Sequence, residues 1–366
     1  MSNKIWIVPL ESLSERYTEQ WRILIPPAFM AAGFDAVVID GDPLSDHVGV
    51  GTFLDINSTV AYKNSQMIQI ATLFHTGQVK DGDKFFIYDA EFWGLESIRL
   101  MAQMNKIDVK IGAFLHAASY SREDAFEVAA PYQKYTELGW LACCDYVFVG
   151  SEYHMRAIID RRIKPYASEE DVGELVNKII VTGNPLFKDA YPEYRGEKKN
   201  QIIISNRFDW EKRPNLSLDF AYILKKKHPD WKIIVTTGRK EFKSNKQWLV
   251  DYAKALEEDG IIEIHSGLTK NEYHRFLAES KVMLTNSIEE NFGYCAIEAV
   301  IYNTYPLMKN ELSHPELVQN NSRLLFDDED EIVSKVEYLM ENEIHITPYA
   351  VPYFKSLDKI IAKFKE

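Results

Sequence analysis

The feature that most constrains the fold is an alternation of short apolar segments with helical patterns, and this alternation occurs twice along the chain. In the first half the predicted strands are Lys4–Pro9, Asp35–Asp40, Lys84–Asp89, Val109–Leu115, Asp145–Gly150 and Lys178–Thr182. Helical patterns separate them, including a helix that ends near Ala32 and the stretches Gly94–Met104 and Ala125–Cys143. Strands that are apolar along nearly their whole length and alternate with helices are typical of a parallel sheet covered on both faces. The pattern therefore predicts an α/β fold.

A segment rich in proline and charge, residues 184–199, interrupts the alternation and is the predicted linker between two domains. Beyond it the predicted strands are Gln201–Ser205, Trp231–Thr236, Ile261–His265, Val282–Thr285 and Tyr305–Lys309. Two successive doubly wound halves predict two Rossmann-like domains that face each other across a deep crevice, with ligands at the carboxyl ends of the strands. We expect an N-terminal domain over 1–190, a C-terminal domain over 191–345, and a final helix in 346–366 that packs back across the domain junction.

Composition excludes several other classes of protein. The 366 residues are 46% hydrophobic, which is ample for folded cores. The sequence has no apolar run of the ~18–20 residues that span a bilayer, and no secretory leader is recognised. Three cysteines cannot build a disulfide framework, and no CxxC pair indicates a structural zinc site. We therefore expect a cytoplasmic protein without integral membrane association.

Two loops at predicted strand ends carry residue types that suit a nucleoside diphosphate. The loop after strand 201–205 holds Arg207 and Lys212, which offer two cations to a diphosphate. The loop after strand 282–285 holds Glu290, and Glu298 follows on a helix that begins near Gly293. Backbone N–H groups at such a helix start favour phosphate, and carboxylates accept hydrogen bonds from sugar or ribose hydroxyls. The alternative for each motif is ordinary surface charge, but their common place at strand ends of one half favours a single site.

These motifs resemble those of the retaining GT-B glycosyltransferases of the group 1 (family 4) type. That family has a G-R-x4-K-G loop after the first strand of its C-terminal domain. Here Arg207 and Lys212 keep the spacing, whereas both flanking glycines differ. The family's E-x7-E element corresponds to Glu290 through Glu298, and the loop Gly267–Lys270 resembles its loop beside the nucleobase. The resemblance implies a GT-B fold and a retaining transferase that uses a nucleotide sugar.

The resemblance also implies a role for each matching position. Arg207 and Lys212 would neutralise the diphosphate and the charge that grows on the leaving group, in place of a metal ion. Glu298 would hold the ribose and Glu290 the transferred sugar. His116 would face the sugar from the N-terminal domain, with a purely structural histidine as the alternative. The implied catalytic residues are His116, Glu290, Arg207 and Lys212. The implied donor contacts are Arg207, Lys212, Gly267, Leu268, Glu290, Asn291, Phe292, Gly293, Tyr294 and Glu298.

The N-terminal half resembles the family more loosely. Ser151 lies at a matching position after strand 145–150 and is a candidate on the acceptor side. Asp89, Glu91 and Trp93 follow another strand end and are further acceptor-side candidates, with helix capping and core packing as their alternative. Many relatives carry a glycine-rich loop after the first strand, whereas residues 8–12 contain no glycine. The sequence thus departs from the family where an acceptor or phosphate contact is normally made.

The expected reaction moves a sugar from a nucleoside diphosphate sugar, with a UDP-sugar favoured, to a hydroxyl acceptor. The acceptor is a glycan, a small molecule or modified double-stranded DNA, because the N-terminal half loosely resembles phage-encoded glycosyltransferases that would work in the host cytoplasm. The basic run Arg156–Lys164 suits DNA phosphates or a solvated helix face, while the net charge of −13 opposes DNA binding. No metal or other cofactor is expected. The alternatives are a sugar-nucleotide epimerase or hydrolase, or a non-enzymatic protein that binds sugar nucleotides.

Overall fold

The computed structural model describes residues 3–12, 17–44, 55–123, 126–194 and 196–366. It divides into two compact units. The first unit contains Met1–Phe187 and Tyr353–Glu366, and the second contains Lys188–Pro352. Each unit is built on a six-stranded parallel sheet. The sequence had indicated boundaries at 190 and 345, where this division falls after Phe187 and after Pro352.

The sheet of the first unit has the strand order β2-β1-β3-β4-β5-β6. Its strands are β1 (Lys4–Val8), β2 (Asp35–Val38), β3 (Lys84–Ile87), β4 (Lys110–Leu115), β5 (Tyr146–Val149) and β6 (Ile179–Val181). The central strands are buried on both faces, as the continuous apolar runs require. All neighbouring strands pair in parallel, so every strand ends at the same edge of the sheet.

Helices cover both faces of this sheet. They are α1 (Tyr17–Ala31), α2 (Ile56–His75), α3 (Leu95–Asn105), α4 (Ala130–Cys143), α5 (Glu152–Ile158), α6 (Lys164–Tyr166) and α7 (Glu169–Asn177), with a π-helical turn at Ile159–Ile163 between α5 and α6. One face buries apolar side chains of α2, α3 and α4, and the other buries those of α1. The unit therefore has two hydrophobic layers, one on each side of the sheet.

The second unit repeats the architecture with the strand order β12-β11-β10-β7-β8-β9. Its strands are β7 (Gln201–Ile204), β8 (Lys232–Thr237), β9 (Glu263–Ser266), β10 (Val282–Thr285), β11 (Tyr305–Lys309) and β12 (Leu325–Phe326). Its helices are α8 (Pro214–Lys227), α9 (Gln247–Glu258), α10 (Lys270–Glu279), α11 (Tyr294–Ile301), α12 (His314–Leu317) and α13 (Ile332–Glu341). Strands β7 and β10 are direct neighbours, which places the loops that follow them side by side.

The last helix, α14 (Ser356–Lys365), belongs to the core of the first unit. Leu357, Ile360 and Phe364 join the hydrophobic layer that α1 also covers. Phe364 fits because Gly112 in β4 has no side chain, since a Cβ at that position would lie 2.5 Å from Phe364 Cζ. A glycine inside a strand often marks such a close approach.

The predicted α/β fold with two parallel sheets is confirmed, and the strand bounds differ by at most two residues at either end. The short β12 and the long α2 were not predicted. The helix expected over Ala125–Cys143 begins at Ala130 after a short 3₁₀ turn, and Ala125 itself lies outside the described residues. None of the helices in the described ranges is long and apolar enough to cross a membrane.

Candidate functional site

The two predicted motifs of the second unit lie against each other. Lys212 Nζ donates to Glu290 Oε2 at 2.8 Å, so the loop after β7 is joined to the loop after β10 by an ion pair. A backbone hydrogen bond from Ile288 N to Glu211 O, also 2.8 Å, joins the same two loops. The structure thus brings together the residues that the sequence had assigned to one site.

Arg207 lies beside Lys212 at the start of this loop. Its guanidinium forms an ion pair of 2.7 Å with Glu211, one helical turn further on. Burial raises the pKa of Glu211 above its ordinary value, and the neighbouring Arg207 and Lys212 lower it only in part. The fully buried Asp209 accepts hydrogen bonds from Arg239, which fixes the loop to the end of β8. The cations of the loop are therefore held in place by buried acids.

Glu290 keeps its negative charge. Burial on its own would raise the pKa of this carboxyl, but the Lys212 ammonium and its hydrogen bond outweigh burial and hold the pKa below its ordinary value. His314, on the neighbouring α12, contributes in the same direction. The site therefore contains an ionised carboxylate paired with an ammonium, and both side chains retain some exposure to a ligand.

The turn Asn291–Gly293 leads into α11. Gly293 has a φ of +94°, and a Cβ there would lie 2.8 Å from Leu317 Cδ1, so both the backbone and the packing require glycine. Phe292 is buried, and its carbonyl accepts a hydrogen bond of 3.1 Å from Ser313 Oγ. Asn291 begins this turn, Tyr294 follows it, and both residues are partly buried. The turn therefore requires glycine at the position just before α11.

Glu298 lies on α11 and is almost completely buried. Lys270 Nζ donates to its Oε1 at 2.5 Å, and the hydroxyl of Tyr191 also hydrogen-bonds this carboxylate. Burial raises the pKa of Tyr191 well above its ordinary value, with the charge of Glu298 as the next cause. The sequence indicated Glu298 as a site residue and placed Lys270 in the loop beside the nucleobase, but it gave no sign that Lys270 and Tyr191 contact Glu298.

The loop at Gly267 and Leu268 precedes α10. Gly267 has a φ of +67°, and its N–H donates to Arg239 O at 2.7 Å. This bond joins the ends of β8 and β9. The predicted donor positions of the second unit therefore occupy the carboxyl ends of β7, β9 and β10, all at one edge of the sheet.

In the first unit, three acceptor-side candidates surround a lysine that the sequence analysis missed. Lys63, on α2, forms an ion pair of 2.7 Å with Asp89 and donates to the carbonyl of Glu91. Its ammonium lies 4.9 Å from the centre of the Trp93 ring, a cation–π contact. The Glu91 carboxylate itself accepts from Gln133 at 3.1 Å. Asp89, Glu91 and Trp93 thus form one cluster at the end of β3.

His116 follows β4 and packs among aromatic rings. Its Nε2 lies 2.8 Å from the carbonyl oxygen of Tyr88, so this nitrogen carries the proton and donates. Trp21 and Phe114 contact the ring at centroid distances of 5.1 and 4.8 Å. Burial lowers the pKa of His116, and nearby Asp89 opposes this in part. A neutral imidazole with Nδ1 as an acceptor follows from this environment.

The remaining candidates of the first unit have structural partners. Ser151 is buried, and its Oγ caps α5 by accepting from His154 N at 3.0 Å. The basic run Arg156–Lys164 is only partly a solvated helix face, because Arg162 is buried in an ion pair with Glu137. The π-helical turn carries Arg162, and such turns are rare. Arg162 is therefore not an exposed contact for a DNA phosphate, as the sequence had allowed it to be.

The segment after β1, where relatives have a glycine-rich loop, contains a buried acid. Glu11 accepts hydrogen bonds of 3.0 Å from Ser58 Oγ and Thr59 Oγ1 in the first turn of α2. A carboxylate of the chain thus occupies the helix start, a place that favours negative charge. Within the described residues, no group of three or more His, Cys, Asp or Glu side chains could hold a metal ion.

Residues 189–351 match the family model described as glycosyl transferases group 1. The matched range coincides with the second unit and includes both loops of the donor motifs. This match confirms the resemblance that the motifs indicated. No curated protein sequence matches the chain.

Several solved structures are similar in fold to most of this chain. The α,α-trehalose 6-phosphate synthase from Burkholderia multivorans is 14% identical, with a TM-score of 0.64 over 100% of this chain and 98% of that one. A lipopolysaccharide outer core galactosyltransferase is 12% identical, with a TM-score of 0.65 over 98% and 99%. A pneumococcal O-GlcNAc transferase, solved with UDP and GlcNAc, is 14% identical, with a TM-score of 0.55 over 83% and 59%. These likenesses confirm the GT-B fold.

Proposed function

We propose that this chain, a glycosyltransferase whose residues 189–351 form a domain of the glycosyl transferases group 1 family, moves a sugar from a UDP-sugar to a hydroxyl acceptor with retention of anomeric configuration. The observation that carries the proposal is the ion pair of 2.8 Å between Lys212 and Glu290. It joins a cation suited to the diphosphate with a carboxylate suited to the sugar.

The donor would bind along the carboxyl edge of the second sheet. Arg207 and Lys212 would take the diphosphate, Glu298 the ribose and Glu290 the hydroxyls of the transferred sugar. UDP is favoured as the nucleotide because the pneumococcal O-GlcNAc transferase, which shares this fold, was solved with UDP. The turn at Gly293 would add backbone N–H donors at the start of α11.

The reaction would need no metal ion. The bond between the anomeric carbon and the UDP oxygen breaks, and a bond from that carbon to the acceptor oxygen forms on the same face of the sugar. The acceptor proton passes to the departing phosphate oxygen. Arg207 and Lys212 stabilise the charge that develops on this leaving group, and such preorganised cations supply a large part of the catalysis in transferases.

The acceptor is proposed to be a glycan or a small molecule rather than double-stranded DNA. The carboxyl edge of the first sheet carries Glu11, Asp40, Asp89 and Glu91. The formal net charge of −13 opposes the binding of a polyanion, and hydroxyl groups are good partners for carboxylates.

The experiment begins with thermal unfolding in the presence of UDP, GDP, ADP and a panel of their sugars. We expect stabilisation by UDP and by at least one UDP-sugar. Release of UDP is then followed with glycans, small hydroxyl compounds and hydroxymethylated DNA as acceptors, and NMR of the product gives the anomeric configuration. Failure of every nucleotide sugar to stabilise the protein would contradict the proposal.

Two variants test the donor residues directly. Arg207→Ala and Glu298→Ala should weaken UDP binding at least about tenfold, because each removes a charged hydrogen-bond partner. Arg275→Ala is the matched control, since Arg275 is an exposed arginine of the same unit that pairs with Glu279 on its own helix. Its UDP affinity should equal that of the unchanged protein. Equal UDP affinity in all three variants would show that the donor binds elsewhere.

A further inference from the structure

The buried carboxylate of Glu298 has a cation partner that its motif does not contain. Lys270 Nζ lies 2.5 Å from Glu298 Oε1, and the exposed fractions of the two side chains are 24% and 5%. A carboxylate buried to this degree is stable as an ion only with a partner charge and hydrogen bonds. Lys270 supplies both, from a different helix and a position 28 residues earlier in the chain.

Lys270 occupies an unfavourable place for a lysine. It is the first residue of α10, where the positive end of the helix dipole favours acids over cations. The helix start is otherwise well formed, since Thr269 and Glu272 make a reciprocal capping box. Residues that break a local rule while the surrounding structure obeys it often serve a site. Here the ammonium reaches away from its own helix end to the carboxylate on α11.

The hydrogen-bonding capacity of Glu298 leaves room for a ligand. An ionised carboxylate has about four acceptor positions. Lys270 uses one of them on Oε1, and the hydroxyl of Tyr191 uses another. The remaining capacity suits the two adjacent hydroxyls of a ribose, which the proposed function assigns to this residue. The Lys270 ammonium therefore restrains the orientation of the carboxylate at Oε1.

We propose that Lys270 is a positioning residue for the donor: it holds the ionised Glu298 carboxylate in the orientation that receives the ribose hydroxyls. This inference rests on the proposed function, because it takes Glu298 as the ribose contact. It predicts that Lys270 matters for ligands that contain ribose and not for the diphosphate alone, which Arg207 and Lys212 bind.

The test compares binding of uridine, UDP and inorganic pyrophosphate by calorimetry in the full chain and three variants. Lys270→Met should weaken the binding of uridine and of UDP at least about tenfold and leave the affinity for pyrophosphate unchanged. Lys270→Arg keeps the charge and should restore most of the affinity. Lys199→Met is the matched control: Lys199 pairs with the buried Glu279 at 2.7 Å, at the opposite end of α10. This variant should bind all three ligands like the unchanged protein.

Each outcome has one meaning. If the unchanged protein does not bind UDP, the proposed function fails before Lys270 is considered. If it binds UDP, and Lys270→Met binds uridine and UDP equally well or more tightly, Lys270 does not position the ribose contact and the inference is wrong. A loss of pyrophosphate affinity in Lys270→Met would show general disruption of the unit, which also contradicts the inference. In turnover assays, a positioning role for Lys270 predicts that Lys270→Met has a higher KM for the UDP-sugar and a smaller change in kcat.

Discussion

The ion pair between Lys212 and Glu290 gives a prediction whose sign distinguishes the proposed site from a structural salt bridge. The Lys212 ammonium is paired with the Glu290 carboxylate, so a diphosphate that binds Lys212 would compete with that carboxylate. The substitution Glu290→Gln removes the competing charge and keeps the shape. We therefore expect UDP, which lacks the sugar, to bind Glu290→Gln more tightly than it binds the unchanged protein.

The magnitude follows from the exposure of the pair. The Lys212 and Glu290 side chains are 13% and 22% exposed, between a surface pair and a buried one. Surface pairs contribute up to about 1 kcal/mol, and more buried pairs contribute more. If UDP no longer has to break an interaction of about 1 kcal/mol between Lys212 and Glu290, its affinity rises roughly fivefold. Lys212→Met should do the opposite and weaken UDP by about 1.5–3 kcal/mol, because a charged hydrogen-bond donor to the diphosphate is lost.

Calorimetry with UDP measures both variants, and UDP release from the preferred UDP-sugar measures turnover. Glu290→Gln should turn over slowly despite tighter UDP binding, because the carboxylate that would bind the sugar hydroxyls is gone. Glu263→Gln, which breaks an exposed ion pair with Lys232 on β8 and β9, is the control and should behave like the unchanged protein. Weaker UDP binding in Glu290→Gln, or an equal loss in both site variants, would refute the reasoning.

Three further predictions concern stability. Gly112→Ala should lower the free energy of unfolding by about 1–3 kcal/mol, because the new Cβ collides with the Phe364 ring. A calorimetric melting curve measures this loss, and adding Phe364→Leu to the same chain should recover part of it. Arg162→Met should lower the free energy of unfolding, measured by urea titration, by about 3–5 kcal/mol, because it leaves the buried Glu137 without its cation. A loss under about 1 kcal/mol would contradict a buried ion pair at this position. The pKa of Glu290 is lowered, so its ion pair stabilises the fold fully above the ordinary carboxyl pKa. This stabilisation is lost as the pH falls through the lowered pKa. Between about pH 6 and pH 3, the Tm of Glu290→Gln should therefore fall less than the Tm of the unchanged protein.

The strands were predictable because parallel strands buried on both faces are continuous apolar runs. Val282–Thr285 and Tyr305–Lys309 have the bounds that the sequence indicated. Strand ends shift by a residue or two because hydrogen bonding, not side-chain character, ends a strand. The two-residue β12 was missed because a strand that short has no pattern of its own.

Helix α2 was missed for a different physical reason. Up to Gln66 its buried side chains are mostly polar, including Ser58 and Lys63, with Tyr62 as an aromatic exception, and beyond it the buried side chains are Ile70 and Phe74. A search for apolar residues at helical spacing finds no consistent face in such a sequence. The polar half lies over the carboxyl ends of β1, β2 and β3, where Gln66 donates to the carbonyls of residues 9 and 39.

The same physics explains why the sequence indicated residues that follow strand ends, including Asp89, Glu91 and Trp93 after β3, and why it did not indicate Lys63. Arg207 and Lys212 lie within eight residues of the end of β7, and Glu290 lies five residues beyond the end of β10, so spacing from a recognisable strand indicates them. The acceptor cluster at Asp89 depends on Lys63, which comes from α2 and has no motif around it. Contacts between elements distant in the chain are fixed by packing, and local sequence carries no signal for them. Lys270 belongs to this second class, because only the packing of α10 against α11 brings its ammonium to Glu298. Residues of this kind are therefore found from the structure and not from motifs, and the Lys270 variants test one that contacts the proposed ribose position directly.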